Sequence, residues 1–206
     1  MGESSVKSGP IDFYFDFISP YAYLGSQLVD ALGERHGRDV DWCPLLLGIS
    51  VLRVMGLKAI ADTPLKGTYS RHDAPRFARY LGLPFQRPEG VLKPLAPMRA
   101  FVWLKQNDPA AATHFARTFF KAQWGEGRNL SDPDAVAALA AELGHNAPAA
   151  RAAIDDEAVK QRLRMDVDAA IAAGVFGVPT FVVDGELFWG ADRLPMVERW
   201  LESGGW

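Results

Sequence analysis

Three short segments carry residue types suited to holding a reactive sulfur. Ser19-Pro20-Tyr21-Ala22 follows the apolar run 11–17 and opens a helix-like pattern. Serine followed by proline is a helix start, with the hydroxyl capping free N–H groups. The same geometry also suits chemistry: a helix start favours negative charge, and a hydroxyl there can donate a hydrogen bond to a thiolate brought in by a cofactor. Far downstream, Val178-Pro179-Thr180 stands at a strand entry, inside Gly174-Val175-Phe176-Gly177-Val178-Pro179-Thr180-Phe181. A cis bond before Pro179 would free the Val178 N–H and C=O to pair with an extended peptide such as glutathione. A trans proline that merely starts a strand is the plain alternative. In Trp189-Gly190-Ala191-Asp192, amides at the start of the last helix can hold a carboxylate and Asp192 can take an ammonium, or Asp192 simply favours the helix start. A cap explains Ser19 but not the other two loops, and loops meeting at one end of a sheet make a ligand site.

Lys66 and Asp73 lie seven residues apart, two helical turns, so both can point into one cleft; a weak solvated charge pair is the alternative. The single cysteine, Cys43, excludes an intrachain disulfide and fits a reducing compartment. Flanked by Trp42 and Leu45, it reads as a buried packing residue. His36, His72, His114 and His145 show no metal-ligand spacing, and no metal is expected. Trp124 reads as a core or interface residue, or as a roof over the cleft.

The background is that of a soluble globular chain: 206 residues, 49% apolar, 23% charged, net charge −3. That charge excludes a strongly basic face, hence nucleic acid as the main partner, and no stretch is long and apolar enough for a bilayer. Residues 1–9 are short and polar, without a signal-peptide core, which points to a frayed leader on a cytoplasmic protein.

The elements that position these residues follow from periodicity. Residues 11–17 read as a strand, 20–35 as a helix stopped by Gly37, and 40–45 as a second strand, a right-handed βαβ unit. Amphipathic segments follow at 71–82, 96–106, 109–123, 132–143 and 155–173, punctuated by Gly and Pro. Residues 180–183 and 186–189 flank Asp184-Gly185, a hairpin signal, and a last helix covers 192–202. The order βαβ, helical block, ββα defines an α/β class, a thioredoxin-like fold with a large all-helical insertion. The halves of that domain are 10–49 and 166–206, with the insertion at 50–165.

Thiol–disulfide exchange enzymes of this shape place Cys-x-x-Cys where this chain has Ser19 and Ala22. Phe15 to Tyr21, Phe120 to Gly127, Gly174 to Phe181 and Phe188 to Leu194 together resemble the 2-hydroxychromene-2-carboxylate isomerase family, related to kappa-class glutathione transferases within the DsbA-like group. The resemblance implies glutathione as cofactor, with Ser19 holding its sulfur, Val178 pairing with its cysteinyl backbone, and Trp189, Gly190, Ala191 and Asp192 binding its γ-glutamyl end. It also implies a homodimer, and Lys66 and Asp73 match a recurring pair of the family. On the substrate side the chain departs from the pattern, with Leu57 to Ala61 and Val91 where the family has Asn and Tyr, and Arg53 in place of a lysine that holds the substrate carboxylate. A glutathione-dependent isomerase of a small aromatic or α-keto acid is therefore expected. A glutathione transferase or peroxidase and a non-catalytic thiol-peptide binding protein are the alternatives.

Overall fold

A computed structural model describes residues 9–206; most of the leader segment lies outside the described residues. Strand β1 (Ile11–Phe15) is central: it pairs in parallel with β2 (Val40–Pro44) and antiparallel with β3 (Thr180–Val183), and β3 pairs antiparallel with β4 (Glu186–Trp189). The sheet order β2-β1-β3-β4 is that of a thioredoxin-like domain. Ile11, Phe13 and Phe15 alternate into the core, as a half-buried strand requires. The hairpin expected at Asp184-Gly185 is present, with φ of 52° and 90° at those residues, the left-handed pair that a tight turn between twisted strands demands. Arg38, in the loop before β2, bonds to the Asp184 carboxylate at 2.7 Å and pins that turn to the parallel side of the sheet.

The segment expected as one helix over 20–35 is two: α1 (Pro20–Ser26) and α2 (Val29–Arg35). The Ser26 hydroxyl donates to the Tyr23 carbonyl at 2.7 Å, and Gln27 N–H turns to Leu24 instead. A side chain competing for a helix carbonyl in this way tightens and ends the turn. After a π-helical turn at Gly48–Val54, the insertion continues as α3 (Lys66–Tyr80), α4 (Leu95–Asn107), α5 (Pro109–Phe120), α6 (Pro133–Glu142), α7 (Ala147–Asp155) and α8 (Glu157–Ala172). A last helix, α9 (Leu194–Ser203), follows β4. Two boundaries differ from the periodicity reading. The chain enters α3 five residues earlier than 71, and α7 was unexpected although Asn146 caps it by accepting from Ala149 N–H at 2.9 Å. Helix α8 runs unbroken through position 165.

Insertion and sheet share one core. Phe101 and Phe120 meet Phe15 with ring centroids 5.0 and 5.7 Å apart, and Phe119 meets Phe17 at 4.3 Å. Each fully buried phenylalanine contributes about 1.5–3 kcal/mol of burial, so the helical block is built into the foundation of the β1–α1 junction. Among the described residues no helix is long and apolar enough to cross a membrane.

Candidate functional site

The loop Asp16-Phe17-Ile18-Ser19 joins β1 to α1 and is held from three sides. The Phe17 carbonyl accepts from Gln123 Nε2 at 2.6 Å and Trp124 Nε1 at 2.9 Å, both on a π-helical turn, Lys121–Gly125, that extends α5. The Asp16 carboxylate accepts from Ile18 N–H at 3.2 Å and Leu47 N–H at 2.9 Å. Its own carbonyl accepts from Ser19 N–H at 3.0 Å. Ser19 caps α1: Oγ accepts from Ala22 N–H at 3.1 Å, and the side chain is buried. As the hydroxyl serves the cap only as an acceptor, its proton is left to donate elsewhere, so capping and a chemical role do not compete. Burial pushes the Asp16 carboxyl up to about 7, against the lowering effect of its two amide donors.

Two further loops meet this one. The Val178–Pro179 bond is cis. The Pro179 ring lies so close to α1 that a Cβ at Gly25 would stand 3.3 Å from it, and the Pro179 carbonyl accepts from Gly190 N–H at 2.8 Å. Gly190 has φ of 117°, a backbone conformation that side chains rarely adopt, so the position favours glycine. No described residue hydrogen-bonds to the Val178 N–H or C=O.

Beside these loops lies an open cleft of about 530 Å³, walled by Tyr21 of α1, by Tyr69, Asp73, Arg76, Phe77 and Tyr80 of α3, and by Asp192. The Tyr21 hydroxyl donates to Asp73 Oδ2 at 2.8 Å and the Tyr69 hydroxyl to Oδ1 at 3.1 Å, while Arg76 pairs with Asp73 and also bonds to Tyr69. Partial burial alone would raise the Asp73 carboxyl, but the hydrogen bonds from Tyr21, Arg76 and Tyr69 together hold it below the usual carboxylate range. Burial and then the Asp73 hydrogen bond push the Tyr21 hydroxyl up, so it stays a neutral donor. The cleft thus offers aromatic surface with a fixed acid and a fixed guanidinium.

Residues 10–202 match the profile of the DSBA-like thioredoxin domain. The chain belongs to that family. It is 31% identical to a 2-hydroxychromene-2-carboxylate isomerase of Pseudomonas putida over 190 residues, 91% of this chain and 92% of that one. It is 24% identical to human glutathione S-transferase kappa 1 over 209 residues, covering 93% and 92%. A solved 2-hydroxychromene-2-carboxylate isomerase superposes with a TM-score of 0.82 at 30% identity, over 93% of this chain and 94% of the other.

Within this DSBA-like framework the residues singled out from sequence separate into groups. Ser19, Val178, Pro179, Gly190, Ala191 and Asp192 lie on the three converging loops, and Asp73 lines the cleft with Asp192. Lys66 begins α3 and Arg53 sits on the π-helical turn; both side chains are exposed and neither is in the cleft wall described above. Leu57 and Val91 are likewise exposed and outside that wall. The Trp189 indole packs on Phe176 and against Gly177 of the loop that carries Val178, and Trp189 also lines a separate depression of about 360 Å³ with Trp200 and Trp206.

Trp124 takes the core position that was one of its two expected roles: it is buried, and its indole N–H donates to the Phe17 carbonyl, so it props the loop that ends in Ser19. Cys43 is half-buried, not sealed in the core, because β2 is an edge strand and turns that side chain away from Trp42. Burial pushes its thiol up, which leaves it a poor nucleophile. The ligand atoms of Asp12, Asp41 and Cys43 lie within 4.8 Å of one another, and Lys105 Nζ, 2.6 Å from Asp41, is the cation of that cluster.

Sequence reading missed Asp16, Gln123, Tyr69, Arg76 and Tyr80 as site residues. The signal for the α3 residues was present, since 69, 73, 76, 77 and 80 follow helical spacing on one face. The expected segment 71–82 leaves out Tyr69 but contains Arg76 and Tyr80, whose place beside Asp73 on that face follows only from the packing of α3 against α1.

Proposed function

We propose that this protein is a glutathione-dependent isomerase of the 2-hydroxychromene-2-carboxylate isomerase type, acting on a small aromatic or α-keto acid. The observation that carries the reading is Ser19: a buried hydroxyl with an uncommitted proton stands where thiol–disulfide exchange enzymes of this shape place the attacking sulfur, and Cys43 lies on the edge strand β2. Identity of 31% to an isomerase across nine-tenths of both chains supports it.

The residues fit a thiol tripeptide. Val178 has a free N–H and C=O for an extended backbone. Asp192 offers a carboxylate at the cleft for the γ-glutamyl ammonium, and the Ser19 hydroxyl, which only accepts in its cap, keeps its proton to donate to the sulfur. When bound, glutathione supplies a thiolate that adds reversibly to an unsaturated carbon of the substrate and so permits rotation about the neighbouring bond. The protein's part is to keep that sulfur ionised through Ser19, to fix the peptide against Val178, and to orient the substrate. Tyr21, Tyr69 and Arg76 hold Asp73 in one place, and with Phe77 and Tyr80 they give an acidic aromatic substrate a flat wall and a cation.

A glutathione transferase is the second reading, favoured by the kappa-class relative and by the exposed Leu57 and Val91 where the isomerase pattern has polar groups. Limiting glutathione separates the two. With hydroxychromene carboxylates and related unsaturated keto acids, an isomerase completes many turnovers per thiol and leaves free thiol unchanged. Stoichiometric loss of thiol with accumulation of a conjugate would reverse the choice. Glutathione binding without turnover of any acceptor would leave a thiol-peptide binding protein.

A further inference from the structure

Asp16 is the only carboxylate or cationic side chain among the described residues that is buried, with 0% of its surface exposed, and it takes part in no ion pair. Removing a carboxylate from water without a counter-ion is costly, so its hydrogen bonds carry the explanation. One oxygen accepts from Ile18 N–H in the β1–α1 loop, the other from Leu47 N–H in the segment that leaves β2. The Asp16 carbonyl meanwhile accepts from Ser19 N–H. This one residue therefore clamps the loop ending in Ser19 to the chain beyond β2, opposite the prop that Gln123 and Trp124 supply at Phe17.

A merely structural turn would need less. Asparagine could accept from Ile18 through its single carbonyl oxygen without burying a charge, but its NH2 would then face the Leu47 N–H, donor against donor. Only a carboxylate receives both amides. We propose that Asp16 is a positioning residue for Ser19, its two-pronged hold on Ile18 and Leu47 keeping the Ser19 hydroxyl aimed at the thiol site; this rests on the function proposed above.

The clamp has a consequence for pH. The carboxyl titrates near 7, burial being the cause and the Ile18 and Leu47 amides its only other influences, with no charged side chain contributing. Above that pH both oxygens accept; below it, one carries a proton and the hold on one amide is lost. The folded-state value is raised above that of the unfolded chain, so the native protein binds the extra proton between about 4 and about 7. The Asp16 contribution to stability accordingly falls as pH rises through that window.

The test is Asp16→Asn in the full chain, followed by turnover against pH, thermal unfolding, and the amide resonances of Ser19 and Leu47. Turnover above pH 7 should drop by about 10-fold or more, since misplacement of a reacting group by an ångström costs up to about 100-fold. The inflection near 7 should vanish, and the melting temperature at pH 8 should hold or rise. In the parent the two amide resonances should titrate together near 7, and in the variant they should not. Leu47→Pro provides a second route: residue 47 has φ of −59°, which proline accepts, and the change deletes one amide donor while leaving Asp16 in place. It should shift the inflection upward. Parent-like turnover with the inflection intact in Asp16→Asn would overturn the proposal. Titrating amides in a parent that turns over no acceptor would instead sink the isomerase reading and leave the clamp standing.

Discussion

Ser19→Ala is expected to lower glutathione-dependent turnover by about 100-fold, the scale seen when one preorganised donor to a developing or resting anion is deleted. The loss should fall on kcat and on kcat/KM together, because Val178 and Asp192 would still hold the peptide. The fold should lose only about 1 kcal/mol, the value of a helix cap, since Pro20 still starts α1 and Ala22 N–H, freed of Ser19 Oγ, is one amide in a helix otherwise intact. Steady-state kinetics combined with urea unfolding checks both halves. A variant that unfolds several kcal/mol earlier, or one that turns over like the parent, would reduce Ser19 to its cap.

The second large effect is on stability. Trp124→Ala should cost about 3–5 kcal/mol, the usual range for truncating a buried aromatic side chain, and it removes one of the two donors to the Phe17 carbonyl. Trp124→Phe keeps most of the volume and deletes the N–H, so it should cost about 1–2 kcal/mol. Turnover should decline in both, measured where each is folded, because the Asp16–Ser19 loop loses part of its support. Denaturant midpoints and activity on the same samples check this. Full activity with an unstable fold would mean that the insertion props the core but not the loop.

The sheet and its hairpin were legible because strand alternation and Asp184-Gly185 are local signals that tertiary packing did not override. The loops of Ser19, Val178 and Asp192 were legible for a related reason: each sits at a strand–helix junction whose type is written in Pro and Gly. Other features depend on contacts far along the chain. The break after Ser26 turns on where one hydroxyl points, and the role of Trp124 on a carbonyl 107 residues away. Asp16 was hidden differently. In sequence it is one polar residue in an aromatic strand, and only its partner Leu47, 31 residues on, distinguishes a clamp from a strand end. Arg53 and Lys66, singled out by resemblance and, for Lys66, by spacing, are exposed and lie outside the wall formed by Tyr21, α3 and Asp192.

In the proposed function Ser19 stabilises the thiolate of bound glutathione. Thiolate absorbance at the ultraviolet edge, titrated against pH with glutathione bound to the parent protein and to Ser19→Ala, measures it directly. The thiol pKa in the parent should lie well below the value of about 8.5 for a free cysteine and move back toward it in the variant. Coincident titration curves for the two proteins would contradict it.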